Sequence, residues 1–195
     1  MTWTYRKLDP AATELLLDTK GIVVQSVTAV DGTTPLAWKL GPDHDAFGSQ
    51  LCITLAAEEP DATQVVITFA TSSSATAIQW LLPAMTAGKS LPFLFTQCQA
   101  IHARSLLPCQ DTPQVKVTYN ASVTVPKGIT AIMSALGNGD APTESADGTK
   151  ATFRFKQPVA MAAYLIAIAA GDLKYAAVSE RCGVWAETVV IEKVS

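Results

Sequence analysis

A polar stretch between Phe95 and Pro113, FTQCQAIHARSLLPCQDTP, holds the residues of this sequence best suited to chemistry. Gln97 and Gln99 are two positions apart, so on an extended strand both side-chain amides would project from one face. An amide offers a hydrogen-bond donor and an acceptor together, which suits binding the backbone of a peptide. The same amides would also suit the carbonyls of a buried loop. The residues alone therefore leave a binding role and a structural role open.

Two other kinds of site would use residues of the same stretch. Cys98 and His102 are four apart and would share a helix face, but two zinc ligands do not make a zinc site. A nucleophilic Cys98 or Cys109, with His102 as base and Asp111 as orienting group, is formally available. A packed cysteine beside a hydrogen-bonded histidine is the more common outcome, so we expect no metal site in this chain.

The end of the stretch, PCQDTP, indicates a rigid turn. Its two prolines flank Asp111, whose carboxylate is expected to cap nearby backbone N–H groups. Arg104 precedes Asp111 by seven positions, so the two side chains can pair only if the chain folds back. We interpret both residues as structural.

Composition restricts the classes of partner. The chain has 195 residues, of which 49% are hydrophobic and 16% charged, with a formal net charge of −3. This length is typical of one domain, residues 1–195, that buries a core without disulfides or metals. The acidic balance argues against nucleic-acid binding, which needs clustered lysine and arginine. The longest apolar run, Val159 to Ala170, is too short to span a bilayer, and no signal peptide is visible, so we expect a soluble cytoplasmic protein without membrane partners.

Period-2 alternation and β-branched runs predict that strands position the polar stretch. The turns include DGTTP and the acidic EEPDA, and regular helix is limited to about one turn near AIHARSLL. The sequence therefore predicts an all-β fold, an antiparallel sandwich or curved sheet with little helix. The expected strands are Thr13–Thr19, Ile22–Val30, LAWKL, QLCITLAA, TQVVITFAT, Val115–Pro126, ATFRFKQP, AAYLIAIAA, KYAAVS and GVWAETVVIEKV.

The segment LPFLFTQCQAIHARSLLPCQDTPQVKVTY resembles the amino-terminal domain of the leukotriene-A(4) hydrolase-like branch of the zinc aminopeptidases. The pattern TQxxA…R…PCxDxP is shared across that aminopeptidase N superfamily, and TQCQAIH is similar to the leukotriene-A(4) hydrolase branch. LLLDTKG, SATAIQWLLPAMTAGK, VTVPKGITAIMSA and AYLIAIAAGDL follow in the family's order. The resemblance therefore covers essentially the whole chain.

The resemblance implies a saddle-shaped β-domain packed over a separate zinc domain. In the family, the two motif glutamines reach the active-site cleft and bind the amino-terminal end of the substrate. By position these are Gln97 and Gln99, with Cys98 between them. Many broader relatives have glutamate at the second position, so Gln99 contributes a neutral amide here. The other matching residues are interpreted as shaping the loop: Arg104, Pro108, Cys109, Asp111 and Pro113.

The family's catalytic residues have no counterpart in this sequence, which lacks HExxH, its downstream glutamate and the GxMEN strand. The resemblance therefore implies that zinc is bound by the catalytic domain of a parent aminopeptidase, and that this chain holds no catalytic residue. We expect an excised or truncated domain, inactive alone, whose partners are its own zinc domain and a peptide substrate. The alternative is a free-standing, non-catalytic β-sandwich binding module.

Overall fold

The computed structural model of the chain describes residues 1–55, 63–137 and 139–194. The chain forms two compact units, Met1–Ala77 with Gln99–Val115, and Ile78–Cys98 with Lys116–Ser195. About 50% of it is strand and 9% helix, in several antiparallel sheets, which confirms the predicted all-β class. None of the helices in the described part has the length and apolarity needed to cross a membrane. The predicted turn at EEPDA lies outside the described residues.

The first unit contains two three-stranded antiparallel sheets and one short helix. Its elements are β1 Thr2–Tyr5, β2 Glu14–Thr19, β3 Val23–Ala29, β4 Trp38–Leu40, β5 Ser49–Thr54, β6 Thr63–Ala70 and α1 Ala103–Leu106. The strand orders are β1-β6-β3 and β2-β5-β4. The strands predicted for this part of the chain and the helical turn near AIHARSLL are confirmed, with small differences at their ends. The last two residues of the predicted strand QLCITLAA, Ala56 and Ala57, lie outside the described residues.

Both sheets of the first unit contribute to one hydrophobic core. In β2, Leu15 and Leu17 are buried while the intervening Leu16 is exposed, because side chains two apart on a strand share a face. Burying each such side chain stabilises the unit by about 1.5–3 kcal/mol. The two sheets of this unit therefore pack face to face as a sandwich. The cluster comprises Leu15, Leu17, Val27, Leu51, Ile53, Leu55, Val65 and Ile67.

The second unit contains three further antiparallel sheets. Its elements are β7 Ile78–Leu81, β8 Phe93–Thr96, β9 Lys116–Pro126, β10 Thr130–Met133, β11 Leu136–Gly137, β12 Thr143–Glu144, β13 Lys150–Ala162, β14 Ile168–Gly171, β15 Leu173–Ala177, β16 Gly183–Glu187, the helix α2 Thr188–Val194, and 3-10 turns at Pro83–Met85 and Ala163–Leu165. One sheet has the order β10-β14-β8-β7, and in the second β13 pairs with β9 along one edge and with the short strands β11 and β12 along the other. The third is the β15-β16 hairpin.

The predicted strand AAYLIAIAA is only partly correct. The chain makes a 3-10 turn at Ala163–Leu165 before β14 begins at Ile168. The N–H of Ile166 donates to the carbonyl of Ala163 (3.0 Å), and the N–H of Ala167 donates to Ser134 Oγ (2.8 Å). These contacts replace strand pairing at the start of the run, which a continuous apolar sequence cannot reveal.

The predicted strand GVWAETVVIEKV is wrong in its second half, which forms α2. At the junction, the Glu187 carboxylate accepts from the N–H groups of Ala87 (2.9 Å) and Gly88 (2.8 Å). The Thr188 hydroxyl donates to Asp172 Oδ1 (2.7 Å), and the helix that follows buries Ile191. These tertiary contacts outweigh the strand preference of the β-branched sequence.

The predicted DGTTP turn is closed by its own aspartate. One carboxylate oxygen of Asp31 accepts from the backbone N–H groups of Thr33 and Thr34, both at 2.9 Å. The other oxygen accepts from the Thr34 hydroxyl. These bonds, led by the Thr34 hydroxyl, lower the pKa of Asp31 from its ordinary 3.8 to about 2. Asp147 closes a second turn and has its pKa lowered to about 2 in the same way.

We expect the stabilisation by Asp31 to depend on pH. Its pKa in the folded chain is lowered, so its contribution is complete above about pH 4 and is lost as the pH falls towards about 2. Asp31→Asn should lower the urea midpoint of unfolding at about pH 5, and lower it much less at about pH 2.5, as followed by circular dichroism. Asp147→Asn should show the same dependence on pH, because the pKa of Asp147 is also lowered to about 2. An equal loss at both pH values would contradict the expectation.

Candidate functional site

The two candidate glutamines lie in the connection from β8 to α1. Because β8 ends at Thr96, residues 97–99 lie outside the strand, and the shared direction expected for the two side-chain amides stays a prediction. Gln97 and Gln99 are exposed, whereas Cys98 between them is 1% exposed. The peptide bond from Gln99 to Ala100 is cis. Each glutamine lies at the surface of its own unit, and their shared role in substrate binding stays a prediction.

The residue before Gln97 is fixed within the second unit. The Thr96 hydroxyl accepts from the N–H of Ile168 (2.9 Å) and lies 3.4 Å from its carbonyl oxygen. In β8, Phe95 pairs with Ala169 of the neighbouring strand β14, and Leu94 pairs with Ala170. The sheet therefore holds the chain up to the first glutamine.

The start of α1 is hydrogen-bonded to Thr76 and Ala77, which follow β6 in the chain. His102 Nδ1 lies 2.7 Å from the Thr76 hydroxyl, just before α1 begins. The hydroxyl of Ser105, which is 1% exposed, accepts from the N–H of Ala77 (2.9 Å) and donates to the His102 carbonyl (2.9 Å). Since α1 begins at Ala103, Cys98 and His102 do not share a helix face, and the two-ligand zinc arrangement is not formed.

Arg104 and Asp111 form a buried ion pair, as the fold-back interpretation predicted. Arg104 Nε lies 3.1 Å from Asp111 Oδ2, with the two side chains 7% and 1% exposed. The same oxygen accepts from the backbone N–H of Arg104 (3.1 Å), which confirms the predicted capping role of Asp111. The guanidinium also donates to the carbonyls of Phe47 (2.9 Å) and Asp111 (3.3 Å). One arginine therefore closes the segment and joins it to the loop before β5.

Asp18 completes the network from β2. Its carboxylate accepts from the N–H of Asp111 (2.9 Å), and its backbone makes a two-bond bridge with Cys109 (2.7 and 3.2 Å). The Arg104 carbonyl accepts from the N–H of Lys20 (2.8 Å), so the motif lies along the edge of β2. The spacing of the motif residues does not point to Asp18. An acidic residue inside an otherwise apolar strand is the signal that could have found it.

The amino terminus supplies a further contact that the sequence analysis missed. The indole N–H of Trp3 in β1 donates to the carbonyl of Pro108 (2.9 Å). Pro108 and Cys109 are fully buried. The PCxDxP segment is therefore held by contacts with β1, β2 and α1 of its own unit.

These contacts argue against both the cysteine nucleophile and the zinc site that the sequence left open. The Asp111 carboxylate is engaged by Arg104 and not by His102, so the proposed cysteine nucleophile lacks its orienting acid. Cys98 and Cys109 are both 1% exposed, which restricts access to either thiol. No group of three or more His, Cys, Asp or Glu within residues 1–55, 63–137 and 139–194 is placed to hold a metal ion. The described residues do not fit a zinc site.

We expect the loss of one charge from the buried ion pair to destabilise the unit far more than the loss of one charge from an exposed pair. Asp111→Asn keeps the shape but leaves the buried guanidinium without its nearest charge, which should cost about 3 kcal/mol of unfolding free energy. Glu14→Gln is the matched control, because Glu14 pairs with Lys39 at 3.4 Å on the surface. It should cost less than about 1 kcal/mol. Urea unfolding measures both, and equal losses would contradict the assignment.

The sequence of the whole chain is similar to known peptidases. The family described as the Peptidase M1 N-terminal domain matches residues 4–165. Leukotriene A-4 hydrolase of Xenopus laevis is 41% identical over 191 residues, which cover 97% of this chain and 31% of that protein. Leucine aminopeptidase 2 of Yarrowia lipolytica is 39% identical over 98% of this chain and 30% of its own length. The chain therefore spans just under a third of the length of these relatives.

The backbone is similar to solved structures of the same group. Yeast LTA4 hydrolase in complex with bestatin superposes with a TM-score of 0.85 at 35% identity, over 99% of this chain and 28% of that one. An M1 zinc metallopeptidase from Deinococcus radiodurans has a TM-score of 0.67 at 19% identity over 94% of this chain and 41% of its own, which supports the fold alone. The family match extends over most of the sequence and includes the whole polar stretch. This chain belongs to the Peptidase M1 N-terminal domain family.

Proposed function

We propose that this chain is the amino-terminal domain of a cytoplasmic zinc aminopeptidase of the leukotriene A(4) hydrolase type. Its partner would be its own catalytic zinc domain, and the substrate of the parent enzyme would be a peptide that loses its amino-terminal residue. The observation that carries the proposal is the family match over residues 4–165 together with a motif whose two glutamines are exposed. The names of relatives such as leucine aminopeptidase 2 point to the same activity.

Within that enzyme, Gln97 and Gln99 would contact the substrate. A side-chain amide can accept from the ammonium group at a peptide's amino terminus and donate to its first carbonyl. Both residues are exposed, so their amides do not need a change in the core to meet a ligand. Cys98 is buried, which favours a packing role for its thiol, with its backbone as the part nearest to substrate.

In this proposal, the chain contributes to catalysis by positioning the substrate. Because the described residues do not assemble a metal site, the zinc belongs to the catalytic domain in this proposal. Fixing a substrate in reactive orientation lowers the entropic part of the barrier, and a small misplacement can cost orders of magnitude in rate. The Arg104–Asp111 pair and the Ser105 contacts would maintain the loop for that purpose. No nucleic acid or membrane takes part.

The test is a substitution in an enzyme that joins this chain to its zinc domain. Gln99→Ala removes one neutral amide contact, so kcat/KM for peptide hydrolysis should fall by about tenfold while zinc content stays unchanged. Gln110→Ala is the matched control, because Gln110 is also an exposed glutamine of the motif segment. It should leave kcat/KM unchanged. Equal values for Gln99→Ala and the parent would refute the substrate-binding role.

The reading frame after Ser195 separates this proposal from the binding-module alternative. The proposal expects an HExxH sequence downstream in the same frame, because zinc aminopeptidases of this kind use two histidines one helical turn apart as ligands. A native stop codon directly after Ser195 would instead establish a free-standing module. Sequencing the transcript decides between the two.

A further inference from the structure

One face of the β9–β13 pair in the second unit carries polar side chains at positions 120, 122 and 124 of β9 and 152, 154 and 156 of β13. Arg154 lies directly opposite Ser122, and Lys156 lies directly opposite Asn120. Since opposite residues of an antiparallel pair share a face, these four side chains project together. The other face carries Phe155, which is buried. The polar face is therefore not part of the core of the unit.

A concave site of about 280 Å³ lies on this face. It is lined by the four residues of the polar face, Asn120, Ser122, Arg154 and Lys156, and by the alternate residues between them, Ala121 and Phe155. Binding sites for drug-sized ligands span about 300–1,000 Å³, so this site is suited to a small group. None of its lining residues is acidic, and four of them offer N–H or O–H donors from their side chains. The site therefore favours a small anion with several acceptor atoms.

The two cations of the site have no carboxylate partner among the described residues. The ion pairs of the described chain involve Lys39, Arg104, Lys127 and Lys174. Arg154 and Lys156 are two apart on one strand, about 7 Å, so their charges repel each other. An anion bound between them would offset that repulsion. The Thr143 hydroxyl accepts from Arg154 Nη1 (2.6 Å), which holds the guanidinium in place.

We propose that this site binds a phosphate group, free or carried by a small ester. A guanidinium presents its N–H groups in a planar fork that matches phosphate oxygens, and charge-assisted bonds of this kind are the stronger ones. The ammonium of Lys156 would balance the second charge, while Asn120 and Ser122 donate to the remaining oxygens. None of the lining residues belongs to the glutamine motif, so the proposal does not depend on the proposed peptidase function.

Phosphate binding to the whole 195-residue chain can be measured by heteronuclear NMR at constant ionic strength, with inorganic phosphate as the probe. We expect saturable shifts confined to the amides of residues 120–122 and 154–156. Arg154→Gln and Lys156→Gln should each weaken the affinity by about tenfold. Lys150→Gln is the matched control, because Lys150 is exposed on β13 and does not line the site. It makes the same change in net charge and should leave the affinity unchanged.

A second titration with glycerol 3-phosphate distinguishes the sources of the group. Equal affinities would identify the free ion as a sufficient ligand, whereas tighter binding of the ester would identify an esterified phosphate. Shifts that do not saturate, or an equal loss of affinity in Lys150→Gln, would overturn the proposal and leave an exposed cationic face only. Spectra of the variants that retain the dispersion of the parent chain show that a loss of binding is not a loss of fold.

Discussion

The buried ion pair between Arg104 and Asp111 is the constraint on which the motif depends. Removing two charges from water costs several kcal/mol for each ion, and their attraction compensates only when the remaining donors and acceptors are also satisfied. That condition is met: the guanidinium reaches the Phe47 carbonyl, and Asp18 accepts from the N–H of Asp111. No buried side-chain nitrogen or oxygen of the described residues lacks a partner. A network satisfied in this way has few alternative arrangements, which fixes the path of the chain from 104 to 111.

For the proposed function, the consequence would be pre-organisation of the loop that carries Gln99. Gln99 precedes Arg104 by only five residues in the same unit, and the intervening His102 is attached to Thr76 at 2.7 Å. Little of the loop is left to order when a ligand arrives, and each side chain that is already ordered saves about 0.5–1.5 kcal/mol on binding. In the proposed function, this charged network in the interior would hold an exposed neutral amide in place a few residues away. The ion pair therefore acts by fixing the conformation of the loop and not as a reacting group.

The sequence predicted most of the strands because their burial follows simple alternation, as in β2 and β9. It failed where contacts from distant segments decide the local structure. Nothing within TVVIEKV shows that Glu187 is bound by two N–H groups about 100 residues earlier in the chain, which is where β16 gives way to α2. Nor does the composition of the polar run show that β8 ends at Thr96, before both glutamines. From the sequence, Arg104 and Asp111 could pair only through a fold-back, which the structure shows, whereas Asp18 and Trp3 lie too far away in sequence to be included.

Burial separates the two kinds of polar residue that the sequence presents side by side. Within one stretch, Arg104, Ser105 and Asp111 are buried and fully engaged, while Gln97 and Gln99 are exposed. Spacing cannot make that division, because amides, hydroxyls and charges all qualify as binding groups when only their types are known. The cost of leaving a buried charge unpaired does make it, because charged groups in the interior must be bonded to one another, whereas a polar group at the surface can also be solvated by water. The same criterion selects Arg154 and Lys156, whose charges have no carboxylate partner among the described residues and which lie outside the motif altogether.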